Sequence, residues 1–139
     1  MLPGRWVWLW PASLPILRGL LRFLLGALFL GAARDHFVDP RAYEVIVPPP
    51  LPAALCVRIS GILELLGGLL LWGKPRWGAW LLTGVLIAVF PANVYMAWTG
   101  VKFRQFPSQT WMAWARLALQ PVLIALIWWS LPRSVASGS

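Results

Sequence analysis

Arg58 to Trp72 reads Arg-Ile-Ser-Gly-Ile-Leu-Glu-Leu-Leu-Gly-Gly-Leu-Leu-Leu-Trp, an apolar run long enough to cross a membrane, with Glu64 near its middle. An acidic residue at the centre of such a helix costs roughly 2.5–3.5 kcal/mol, and each Leu or Ile returns about 0.3–0.6 kcal/mol. Around ten Leu, Ile and Val between Leu55 and Leu71 therefore contribute roughly 3–6 kcal/mol. Insertion wins by a modest margin. Glu64 also shares a helical stripe with Ser60 or Gly61 and with Gly67 or Gly68, spaced by three or four residues. Small residues let helices approach closely in lipid. The carboxyl group is thus expected to face other helices, which must supply its partners.

The whole chain agrees with that reading. Its 139 residues leave room for one domain, residues 1–139, and 60% of them are apolar while only 12% are charged. Mean hydropathy is +0.72. A soluble domain of this size needs far more charge on its surface, so an all-α, integral membrane four-helix bundle is expected. The formal charge of +8 does not point to nucleic acid. The basic residues punctuate apolar segments, as loop and interface charges do, instead of gathering on one soluble face. Of the 11 Trp, nine (Trp6, Trp8, Trp10, Trp72, Trp77, Trp98, Trp111, Trp128 and Trp129) fall at segment ends, where indole favours the headgroup layer. Cys56 and His36 are each alone, which excludes an internal disulfide, a dithiol pair, a bis-histidine haem and a multi-histidine metal site within one chain.

Outward from the central stretch, helices are expected at about residues 15–33, 53–72, 77–98 and 111–131, with a disordered tail at 134–139. Arg18 and Arg22 lie in the first two turns of the first helix and can snorkel to the near interface. A signal peptide is the competing reading there, since Gly31-Ala32-Ala33 resembles a cleavage site. Asp39-Pro40 predicts an N-cap and first-turn proline of a short interfacial helix through Val45. Pro48, Pro49, Pro50 and Pro52 predict an extended polyproline lead into the second span. Gly73 to Arg76 is a tight turn that makes the second and third spans antiparallel neighbours. Pro91 interrupts the third, freeing the carbonyl of Ile87.

Four spans put both termini on one side, with Arg5, Arg18, Arg22, Lys74, Arg76 and Arg133; the other side has Arg34, Arg41, Lys102 and Arg104, with Arg58 and Arg116 just inside the helices. By the Lys/Arg rule the termini are expected to be cytoplasmic. At 1.5 Å per residue, Arg58, Asn93 and Arg116 lie roughly 8 Å below the opposite interface, Gln120 roughly 13 Å and Glu64 roughly 16 Å. His36 sits at the mouth. These six residues are the candidate ligand-binding set, open to the non-cytoplasmic side, with Glu64, Arg116 and Gln120 expected to form one hydrogen-bonded unit. A carboxylate alone at that depth is strongly disfavoured, so Glu64 should pair with Arg116 or hold a proton. The alternative is that Glu64, Arg116, Gln120 and Asn93 only tie helices together. Cys56 reads as a small apolar filler. No metal site and no catalytic set is predicted.

Several of these residues also carry a resemblance. His36-Phe37 with Pro40 and Tyr43, Pro48 with Leu51-Pro52, Ser60-Gly61-Ile62-Leu63-Glu64-Leu65-Leu66-Gly67-Gly68, Phe90-Pro91-Ala92-Asn93-Val94-Tyr95-Met96-Ala97 and Arg116-Leu117-Ala118-Leu119-Gln120 resemble the short stand-alone branch of the DoxX family, over about residues 16–131. The resemblance implies a four-helix bundle in the cytoplasmic membrane of a prokaryote, tied to redox processes. Relatives include the membrane subunit of thiosulfate:quinone oxidoreductase and a membrane complex with a superoxide dismutase and a sulfurtransferase. Others carry paired cysteines, which this chain lacks, or assist assembly of membrane proteins. Three functions follow as expectations. The first is a redox-associated membrane subunit, not an autonomous enzyme, holding a quinone or similar lipophile and docking a partner that brings the electron carrier. Here Arg116, Gln120, Asn93 and His36 are carbonyl donors and Glu64 a proton acceptor. The second is a non-enzymatic assembly or anchoring factor. The third is a small proton-coupled transporter, which the lack of an internal inverted repeat disfavours unless the chain forms an oligomer.

Overall fold

The computed structural model describes residues 13–103 and 110–133; the tryptophans before Ser13, Arg104 and the 134–139 tail lie outside the described residues. The elements are α1 (Ser13–Val38), α2 (Pro40–Glu44), α3 (Ala53–Gly73), α4 (Pro75–Thr99) and α5 (Thr110–Trp129). Four of them, α1, α3, α4 and α5, are long and apolar enough to span a membrane. Their outward faces carry exposed large apolar side chains such as Leu20, Leu24, Ile62, Leu69, Ile87 and Leu119. That belt suits contact with lipid tails.

The helices pack in chain order. α1 lies along α3, α3 along α4 and α4 along α5, while α5 meets α1 more lightly. Glycine sets the closest approaches. A methyl group at Gly78 would fall on the backbone of Leu71, just beyond the turn in which Lys74 alone separates α3 from α4. On the other side of α3, a methyl at Gly68 would come 3.0 Å from the carbonyl of Gly26 on α1. The buried stripe of α3 is Val57, Gly61, Glu64, Gly68 and Leu71, a three-four alternation. An apolar core of Leu25, Phe29, Leu71, Ala79, Leu82, Leu86 and Ile127 fills the half of the bundle nearer that turn.

Three expectations need correction, and Arg18 and Arg22 gain partners the sequence did not show. α1 does not end at Ala33 but runs to Val38, which places Asp35 and His36 on a helix. Polar residues do not break a helix once it has left the hydrocarbon, and Ala33 is fully buried, well inside the element that was read as ending at a cleavage-like site. The proline run 48–50 forms no extended lead. It turns, with Leu51 N–H donating to the Pro48 carbonyl at 3.1 Å across a cis Pro49–Pro50 bond. Asp39 precedes Pro40 at the start of α2 as expected, but its side chain makes no capping hydrogen bond. Arg18 and Arg22 are used inside the bundle as well as at its edge. Arg22 Nη1 donates to the Ser130 carbonyl at 3.1 Å, and the Arg18 guanidinium lies 5.0 Å over the Trp129 ring.

Tryptophan is divided between the two roles. Trp77, Trp98 and Trp111 are widely exposed at helix ends. Trp72 and Trp128 instead spend their N–H groups internally, on the Phe23 carbonyl and on Thr83 Oγ1. The Arg22 bond closes the end of α5 onto α1, where few other contacts join them. Arg22→Met should therefore lower stability by roughly 1.5 kcal/mol. Arg34→Met, on an exposed ion pair with Asp35 (3.4 Å), should cost about 0.5 kcal/mol or less. Unfolding in mixed micelles titrated with dodecyl sulfate reads both, and equal losses would reject the assignment.

Candidate functional site

α3 and α4 are held together at their turn by Gly78 against Leu71 and by Gly67 against the Leu82 side chain. Toward the other end, nearer α2, a cavity of about 320 Å³ lies between them. Its polar lining comes from all five elements: His36 of α1, Tyr43 of α2, Ser60 and Glu64 of α3, Asn93 of α4 and Arg116 of α5. The remaining lining is apolar apart from Cys56.

Glu64 is buried among these groups, and its Oε2 has no hydrogen-bond partner among the described residues. That oxygen lies 3.4 Å from Nδ1 of His36. The nitrogen is already committed, because Nδ1 also lies 2.8 Å from the Ala32 carbonyl. A carbonyl only accepts, so Nδ1 carries the hydrogen and donates it there. The His36–Glu64 approach is therefore a contact and not a hydrogen bond. Nε2 is left as the ring nitrogen available to a bound molecule.

A ladder of rings crosses the end of the cavity. His36 stacks on Tyr43 (3.9 Å between centroids), Tyr43 meets Phe103 edge-on at 4.9 Å, and the Arg116 guanidinium lies 4.3 Å over Phe103. Pro40 opens α2, the short helix that carries Tyr43, seven residues after His36.

Four of the six sequence candidates thus meet around one cavity: His36, Glu64, Asn93 and Arg116. Arg58 does not join them. It is exposed, since six residues at about 100° each put it about 120° around α3 from Glu64. Gln120 is buried below the cavity, donating from Nε2 to the Leu86 carbonyl at 3.1 Å. The expected Glu64–Arg116–Gln120 unit is not formed: the Arg116 guanidinium lies over Phe103, and the Gln120 amide donates to the Leu86 carbonyl. α4 continues through Pro91, and Asn93 faces inward, buried. Sequence reasoning passed over Tyr43, Ser60 and Cys56 as lining. Cys56, Ser60 and Glu64 follow each other by four residues, so that signal was present.

Fold and site together define a polytopic helical membrane protein with a mostly apolar cavity, bearing a few polar groups, inside one half of its bundle. The chain belongs to the family described as Domain of unknown function (DUF8561), whose sequence profile matches residues 25–131. No curated protein and no solved structure matches it.

Proposed function

We propose that this protein is a membrane-embedded binding protein for a lipophilic small molecule of quinone type, serving as a redox-associated subunit beside a partner that brings the electron carrier. One observation carries the reading: Glu64 lines an otherwise mostly apolar cavity, and its buried Oε2 has no hydrogen-bond partner among the described residues. Ligand sites are of this kind, apolar with a few placed polar groups, and ionisable groups inside spans are seldom kept without use. The Asn93 amide and the Arg116 guanidinium are donors for a ring carbonyl, while Glu64 and the hydrogen-free His36 Nε2 accept from a ring hydroxyl. The resemblance to DoxX proteins supports the redox setting. Purification in mild detergent followed by lipid extraction tests the reading. A quinone retained at near-stoichiometric level supports it, and an extract holding only bulk phospholipid rejects it.

A second reading, an assembly or anchoring factor, draws on α5. That helix is the least buried of the four spans and exposes Trp111, Trp114, Leu119 and Val122. An obligate membrane partner crosslinked along this face, with no lipophile retained, favours it.

The proposed location is the cytoplasmic membrane of a prokaryote, with both termini and Lys74 cytoplasmic and the α2 end outside, on the Lys/Arg balance. Reporter fusions at Lys74 and after Arg133 should read cytoplasmic, and a fusion at Lys102 should read outside. A fusion after Arg133 that reads outside rejects this orientation.

A further inference from the structure

The α2 end of the cavity is partly covered, with Leu51 the exposed lining residue there. Across the α2 end runs the ladder His36–Tyr43–Phe103–Arg116, with successive members 3.9, 4.9 and 4.3 Å apart. Behind it the turn after α2 adds Ile46, Val47 and Pro48 to the lining, and Ile46 is only 6% exposed. Toward α1 the wall is sealed where Gly61 abuts His36 and Phe37. The floor is the convergence of α3 and α4 at Gly67 and Leu82.

The flank between α3 and α4 is different. Within the spanning helices, the exposed lining residues are Ile59 on α3 and Ala88 and Pro91 on α4. Ile59 continues into the exposed Leu55 and Ile62, and Ala88 into the exposed Ile87 and Gly84. These surfaces belong to the lipid-facing belt, at a depth of roughly 9 Å for Ile59, counted from the start of α3. On the α4 lip the side chains are small: a methyl at Gly84 meets nothing within 4 Å.

We infer that the cavity is entered sideways from the bilayer, between Ile59 of α3 and Ala88–Pro91 of α4, and that its ligand is a single-chain amphiphile. The head lies against Glu64, Asn93 and His36, and the chain leaves through the gap into lipid. The inference rests on the lipophile-binding reading and narrows it. A cavity of about 320 Å³ takes a substituted ring, while a long chain needs a way out. The apolar, exposed lips provide that way without uncovering any polar group to hydrocarbon.

The test uses the full chain in lipid nanodiscs with two probes: 2,3-dimethoxy-5-methyl-1,4-benzoquinone carrying a decyl chain, and the same ring without a chain. Quinone retained per protein after affinity capture is read against quinone per lipid. The wild type should favour the decyl form. Ala88→Phe, which fills the α4 lip from an exposed position, should weaken the decyl form roughly ten-fold and leave the chainless ring unchanged. Ile59→Trp narrows the same gap from α3 and decides the matter if Ala88→Phe does not fold. Ile87→Phe, exposed but outside the lining, should behave as wild type. Equal retention of both probes by the wild type, or loss of both by Ala88→Phe, overturns the sideways route while leaving a ligand-binding cavity. A wild type that retains neither probe overturns the lipophile reading itself, and the route with it.

Discussion

Gly78→Ala is expected to lower the stability of the bundle by about 1–3 kcal/mol, and Gly78→Leu by more than that. The added methyl group falls on the backbone of Leu71, with the Leu71 Cα and the Leu70 carbonyl carbon also within reach. Backbone cannot swing aside as a side chain can, so α4 must move bodily away from α3. Lys74 is the sole residue between the two helices, which leaves the turn little slack. The shift would also unseat Leu71, Ala79 and Leu82, fully buried residues that belong to one core cluster. Gly84 is the matched control on the same helix. It is exposed and a methyl group there meets nothing within 4 Å. Gly84→Ala should be neutral or stabilising by up to about 1 kcal/mol, from the gain in helix propensity. Dodecyl sulfate titration followed by circular dichroism measures both variants. Equal stabilities for the two would mean that close packing at Gly78 does not hold α3 to α4.

The four spans could be read because each is a long apolar run flanked by basic residues, and nothing tertiary alters that requirement. The Lys74 turn was equally plain, since a Gly-Lys-Pro-Arg string allows no other connection. The end of α1 was missed for the opposite reason. Arg34, Asp35 and His36 mark where the helix leaves the hydrocarbon, and hydropathy cannot tell that from where the helix stops. The turn at Pro48–Leu51 is closed by a backbone hydrogen bond from Leu51 to the Pro48 carbonyl, which a run of prolines does not announce. In the site, depth was read well and direction less well. Glu64, Asn93, His36 and Arg116 share one cavity because depth along a helix follows from counting. Arg58 matched them in depth but points elsewhere, and the angle between it and Glu64 was available from the same count. What no count could supply is that Phe103, from the α4–α5 connection, sits under the Arg116 guanidinium. Arg116 lies over Phe103 and does not pair with Glu64, whose carboxyl group sits beside a histidine that donates its hydrogen to Ala32.

Glu64→Leu is expected to abolish retention of the lipophile while leaving the bundle as stable as the wild type, or more so. The two halves of that expectation come from one fact. Oε2 of Glu64 has no hydrogen-bond partner among the described residues, and its nearest ionisable neighbour, His36 Nδ1 at 3.4 Å, donates to Ala32 instead. A buried carboxyl group that serves as helix glue is satisfied by the helices it joins, and its loss destabilises them. One that is unsatisfied within the protein carries a desolvation cost with no return, so an apolar replacement of similar size removes the cost. A ligand hydroxyl or ring that hydrogen-bonds to Glu64 gives the missing partner. Such a bond contributes about 0.5–1.5 kcal/mol, and a buried ligand group left without it costs about 1–3 kcal/mol, so its loss should weaken binding roughly ten- to a hundred-fold. His36→Phe keeps the stacking surface on Tyr43 while removing both ring nitrogens, and should weaken binding by a smaller factor, about ten-fold for one neutral hydrogen bond. Detergent-unfolding midpoints and quinone retained per protein are measured together on both variants. A Glu64→Leu protein that unfolds early but keeps its lipophile would reassign Glu64 to holding α3 against its neighbours. One that folds as well as the wild type and comes away without the lipophile identifies Glu64 as a ligand-binding residue.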